Sequence, residues 1–152
     1  TDFIEGDDLG DVTMVLAEHP DVKILLGNET MIYPGLSVGV HGALRFVTGN
    51  LLTTHQSSST NFALKYITSV FAPIFAKLVK EYKAGNLAGA REQQVECCKM
   101  FFTLEKHGHL VSVNKALLKI FKGLDFGPMR SPLPTVPEEE SAKLREAFSA
   151  YV

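Results

Sequence analysis

The chain has 152 residues, 45% of them hydrophobic, enough for one globular domain with a substantial core. A formal charge of −2 offers no general attraction to nucleic acid or to an anionic membrane surface. No apolar run reaches the ~18 residues of a spanning helix; Lys, Gly or Pro interrupts the longest ones.

Thr1 rather than Met opens the chain, so the native start is expected upstream, and no signal or transit peptide is visible. Asp8 or Asp11 is suited to cap a helix reaching about Glu18, with Val12, Val15 and Leu16 as its apolar face. His19-Pro20-Asp21 reads as a turn. Val22 to Leu26 then reads as a buried strand that ends in Gly27-Asn28-Glu29-Thr30. A short helix follows, with Pro34 near its start and Gly39 near its end, and Gly42 to Val47 reads as the next strand. Helix, strand, helix, strand is the alternation that yields a parallel sheet.

From Thr48 to Asn61 the chain is polar and without periodicity, so a loop or insert is expected there. Helices follow. Ile74, Phe75, Leu78 and Tyr82 share one face, and Pro73 suits a first turn. Ala84-Gly85-Asn86 stops that helix and caps another, in which Val95, Cys98 and Phe102 line up. His107-Gly108-His109 ends the second helix, and Ser112 is placed to cap a third with Val113, Ala116, Leu117 and Ile120 inward. Phe126-Gly127-Pro128 breaks it, Pro132 and Pro134 suggest an extended tether, and Thr135 with Glu138 has capping-box spacing. A last helix is expected to bury Leu144, Ala147, Phe148 and Tyr151.

Cys97 and Cys98 are adjacent, a poor spacing for a disulfide or a zinc site; they read as helix thiols with one side in the core. His107 and His109 lack a third metal ligand. His55 reads as solvated, and Glu138-Glu139-Glu140 as an acidic helix start. Two strands alone cannot satisfy their edges. The inventory therefore suggests a piece of a larger α/β structure.

Gly127-Pro128-Met129-Arg130-Ser131-Pro132-Leu133 resembles the C-terminal signature of the dihydrodipicolinate synthase/N-acetylneuraminate lyase family. The resemblance runs in order through Asp8 to Glu18, Pro20 to Glu29, Gly39 to Ala43, Phe71-Ala72-Pro73, Tyr82 to Arg91 and Lys115-Ala116. It implies the C-terminal half of a TIM (β/α)8 barrel, its last two strands, followed by a C-terminal helical bundle. Residues 1–70 would form the partial barrel segment, with the insert near 50–61, and residues 71–152 the eighth barrel helix and the C-terminal helices. The 20 residues between Asn50 and Phe71 exceed what most members carry. A second alignment places Tyr66-Ile67-Thr68-Ser69 in the last strand instead.

Family members hold a 2-oxo acid as a Schiff base on a lysine in a G-x-K-[DE]-[ST] pattern. Thr1 matches its last position, so the resemblance implies that the lysine, like the proton-shuttling tyrosine, lies upstream. No catalytic role is thus assigned to Tyr33, Tyr66, Tyr82 or Lys115. Lys23, Lys65 and Lys77 occupy polar flanks, where a lysine is not desolvated as a Schiff-base amine requires. In the sialic acid lyase branch a G-x-D-E loop binds the hydroxyls of the substrate tail. Here Gly27, Asn28, Glu29 and Thr30 stand there, with Thr30 replacing the second acid, and Thr48 is the further substrate-binding candidate. Arg45 reads as an exterior or ion-paired residue and Arg130 as a tie for the tail.

The function implied is a pyruvate-type aldolase or lyase segment, inactive alone. Its expected partners are a 2-oxo acid substrate, a missing N-terminal barrel half and further copies in a homo-oligomer, a tetramer or dimer. No metal, cofactor, nucleic acid or membrane is expected, and a cytoplasmic location is. A truncated, non-catalytic interaction subunit is the alternative. A helical binding module is a third reading, and it requires that Val22–Leu26 and Gly42–Val47 not pair in parallel.

Overall fold

The computed structural model of the chain describes residues 3–4, 9–43 and 70–152. Its first segment alternates as the pattern requires: β1 (Phe3–Ile4), α1 (Leu9–Glu18), β2 (Leu25–Leu26), a 3-10 turn (Glu29–Met31), α2 (Ile32–Ser37) and β3 (Gly42–Ala43). β2 is central and parallel to both neighbours, with Phe3 opposite Leu25 and Leu26 opposite Ala43. Parallel neighbours need crossovers, which α1 and α2 supply. The parallel pairing removes the helical-module reading. It also corrects the expectation of two strands, because β1 is a third. Two residues at the start of the chain carry no periodicity that could have announced it.

The apolar run before Gly27 is only partly strand. Val22 is exposed, whereas Ile24 is buried and joins β3 through His41, whose main-chain N–H donates to Ile24 O at 2.9 Å. In return Ile24 N–H donates to His41 Nδ1 at 3.4 Å. Burial, then the Lys23 charge, lowers the His41 pKa, favouring the neutral ring that this contact uses. Asp11 lies inside the first turn of α1 rather than at its cap, where its charge still suits the helix dipole. Val12 is fully buried and Leu16 packs on the core, but Val15 faces solvent. Asp8, Arg45, Thr48, His55, Lys65, Tyr66 to Ser69 and the polar run from Thr48 to Asn61 lie outside the described residues.

The helical region comprises α3 (Ala72–Lys83), α4 (Leu87–Lys106), α5 (Leu110–Lys122), a 3-10 turn (Glu138–Glu140), α6 (Ser141–Phe148) and a closing 3-10 turn (Ser149–Tyr151). α3 and α4 form a hairpin whose corner is Gly85, at φ 78°, a conformation glycine adopts without strain. Asn86 caps α4 by accepting from Gly89 N–H at 3.1 Å. Phe75 and Leu78 of α3 are buried as expected, and the Tyr82 hydroxyl donates to Leu36 O of α2 at 3.0 Å.

α4 turns a different face inward from the one its apolar residues suggest. Ala90, Gln94, Cys97, Met100, Phe101 and Leu104 are buried, while Val95 and Phe102 are 49% and 51% exposed. The two stripes lie one residue apart on the helix, about 100° in rotation. The one that wins contains a glutamine. α5 differs as well. It begins at Leu110, so Ser112 lies in its first turn and donates to Pro134 O at 2.6 Å instead of capping. Gly123, at φ 68°, ends it before Phe126.

The segment after Gly123 folds back rather than running straight. Leu133 N–H donates to Arg130 O at 3.0 Å, and the Ser131–Pro132 peptide is cis. Thr135 accepts from Met129 N–H at 2.9 Å, so its hydroxyl is used there and no capping box forms. Lys115 Nζ holds Pro128 O at 3.0 Å, whereas the exposed Arg130 side chain makes no hydrogen bond to the described residues. α6 closes the core as its pattern requires. Phe148 is fully buried against Phe71 and His107, with centroids 5.5 and 5.8 Å away, and Ala147 and Tyr151 pack beside it.

Candidate functional site

The carboxyl ends of parallel strands are where loops of an α/β structure gather binding groups. Gly27, Asn28, Glu29 and Thr30 follow β2 at that end. Asn28 is extended, at φ −133° and ψ 115°, and its Oδ1 accepts from Thr30 N–H at 3.0 Å and from the Thr30 hydroxyl at 2.7 Å. Its own carbonyl accepts from Met31 N–H at 3.2 Å. Four residues are thereby folded into one 3-10 turn, with an Asx cap in place of a full helical turn. The Thr30 hydroxyl proton is committed to Asn28. Only its lone pairs are left, so toward a ligand it acts as an acceptor.

Glu29 is 1% exposed, and its charge acts on the Cys97 thiol of α4. Burial first, then Cys98, and further the Glu29 and Glu96 charges push the Cys97 thiol up to about 12. Cys97 is buried and Cys98 half-buried, both free, matching the expectation of one thiol side in the core. The Glu29 carbonyl accepts from Gln94 Nε2 at 3.0 Å, and Gln94 Oε1 accepts from Tyr33 N–H at 2.7 Å. Cys98 adds a longer thiol contact to Thr30 O at 3.8 Å. The Tyr33 ring meets Tyr82 edge-on, 6.0 Å between centroids, which fastens α2 to α3.

Gly27, Asn28, Glu29 and Thr30 are thus brought together in one turn, and Thr48 lies outside the described residues. Sequence reasoning missed Gln94. The signal was present: one polar residue within the stripe Ala90, Gln94, Cys97, Phe101, Leu104. A buried amide requires partners, and Gln94 finds them in the main chain of Glu29 and Tyr33. Lys23 and Lys77 are exposed on helix or loop surfaces. Among the described residues no three His, Cys, Asp or Glu side chains are grouped to hold a metal, and no helix is long and apolar enough to cross a membrane. A separate hollow of about 250 Å³ lies between α5 and the C-terminal segment. Its Lys119 is already paired with Glu138 at 3.1 Å and Asp125 at 3.5 Å.

The model of the dihydrodipicolinate synthetase family matches residues 6–151. An N-acetylneuraminate lyase of Mediterraneibacter gnavus is 35% identical over 75 residues, covering 49% of this chain and 24% of its own length. The solved N-acetylneuraminate lyase of Mycoplasma synoviae superposes with a TM-score of 0.74 at 18% identity, over 96% of this chain and 43% of that one. The Proteus mirabilis N-acetylneuraminate lyase gives 0.71 at 20% identity, over 98% and 44%. The fold is that of this barrel family, and the chain spans less than half the length of the relatives it matches.

Proposed function

The chain belongs to the dihydrodipicolinate synthetase family, and from that premise we propose that it is the C-terminal segment of a Schiff-base aldolase or lyase acting on pyruvate or another 2-oxo acid. In the whole enzyme a lysine before Thr1 condenses with the 2-oxo carbonyl, releasing water. The resulting iminium is the electron sink for making or breaking the adjacent carbon–carbon bond. An N-terminal barrel half supplies that lysine, and residues 1–152 supply the last strands and the helices behind them. The reading extends to a cytoplasmic homo-oligomer, a dimer or tetramer.

The observation that carries this reading is the turn from Gly27 to Thr30, placed at the carboxyl end of a parallel strand in a member of a lyase-containing family. Its task is to receive the substrate tail, with Thr48 as a further contact. Thr30, in place of a second acid, offers one hydroxyl acceptor. The tail is accordingly expected to differ from that of N-acetylneuraminate.

Pyruvate with borohydride tests the proposal on two chains: this one, and this one preceded by the residues its gene encodes before Thr1. The longer chain should gain a reduced pyruvate adduct on a lysine ahead of Thr1, and the shorter none. An adduct on any lysine within residues 1–152 sinks the assignment. A non-catalytic subunit is the competing reading, favoured by the apolar Leu87, Val95 and Phe102 left exposed along α4. It predicts no adduct on either chain.

A further inference from the structure

The turn that carries Glu29 and Thr30 is too short to hold its own shape. It has one 3-10 turn and an Asx cap, and isolated turns of this length are not stable in water. What holds it is a side chain more than sixty residues away. Gln94 donates to Glu29 O, at the start of the turn, and accepts from Tyr33 N–H, just beyond its end. The two bonds, 3.0 and 2.7 Å, span the turn like a clasp. A carboxamide carries a donor and an acceptor on neighbouring atoms and keeps both at neutral pH. Gln94 is buried, so its amide cannot trade these partners for water. Cys98, one turn along α4, lies 3.5 Å from Gln94 Nε2 and touches Thr30 O.

Resting on the lyase reading of this site, we propose that Gln94 is a positioning residue: it fixes the turn from Asn28 to Met31 and thereby presents the half-buried Thr30 hydroxyl, an acceptor, to hydrogen-bond donors on the tail of the aldehyde partner. Gln94 itself meets neither the 2-oxo acid nor its imine. Its effect is therefore expected on the tail-bearing partner and not on pyruvate.

Gln94→Met keeps the volume and removes both bonds. Exchange of the Tyr33 amide should quicken roughly tenfold or more, the loss of one to two hydrogen bonds, while the amides of α5 keep their protection. In the chain extended upstream of Thr1, the rate of borohydride trapping with pyruvate should stay unchanged. KM for the best of a panel of glyceraldehyde, erythrose and N-acetylmannosamine should rise by a similar factor at unchanged kcat. Gln94→Glu supplies a rescue: when protonated it again donates and accepts, so its KM defect should shrink as pH falls. Unaltered Tyr33 exchange in a folded Gln94→Met chain overturns the proposal, as does a KM rise that is equal for pyruvate and aldehyde. Absence of any pyruvate adduct in the unmutated extended chain refutes the lyase reading instead, and the Tyr33 amide still decides whether Gln94 is the clasp.

Discussion

The turn after β2 and the helices behind it are held by different forces. Glu29, Thr30 and Tyr33 owe their placement to a few directional bonds, from Asn28 within the turn and from Gln94 across it. α3 to α6 owe theirs to a shared apolar interior that includes Phe71, Leu78, Met100, Leu117 and Phe148. Apolar burial scales with area and tolerates small shifts, whereas a hydrogen bond fails when its geometry fails. The helical region therefore acts as a stiff backing, and the turn after β2 borrows its rigidity through one glutamine.

The largest expected effect tests the backing. Phe148→Ala empties a fully buried site against Phe71 and His107 and should cost about 3–5 kcal/mol in urea denaturation. A loss below about 1 kcal/mol would show that α6 does not hold the helices together.

A smaller effect tests the junction between α2 and β2. A methyl on Gly35 would run into the Leu26 side chain and crowd Val40. Gly35→Ala should cost about 1–3 kcal/mol, with faster exchange at the Val40 amide, and Leu26→Ala in the same chain should recover some of it. Additive losses in the double variant would break the claim that the two side chains compete for one space.

The smallest effect appears only in alkali. The Cys97 thiol is raised from an ordinary 9.0 to about 12, so between these values the folded state binds more proton than the unfolded one. Stability should be unaffected below about pH 9 and fall as pH rises through that window. Cys97→Ala should flatten the slope. At about pH 8 iodoacetamide should label the half-buried Cys98 well before Cys97. Equal labelling would mean that the α4 face opens locally, contrary to a stiff backing.

The features of the fold that could be read in advance are those set by local chemistry. Gly85 and Asn86 separate α3 from α4 because one adopts a left-handed φ and the other caps. Leu78, Leu117 and Phe148 repeat at helical spacing and are buried. The turn from Gly27 to Thr30 was legible as a strand end with polar residues and an acid. Readings that depended on a distant partner went astray. Ser112 and Thr135 look like caps, but Pro134 and Met129 claim their hydroxyls. Val95 and Phe102 look like a buried face, but the neighbouring stripe turns inward.

Neighbouring residues were thus enough to give the parallel alternation, the helix punctuation and the family, because turn chemistry, periodicity and motif order are written locally along the chain. It took the packed fold to settle which face of α4 is buried, that a third strand flanks β2, and that Gln94 bonds to Glu29 and Tyr33 on either side of the turn. Those outcomes join groups far apart in the chain. Whether a buried amide costs or stabilises depends on what lies opposite it, which no local pattern records.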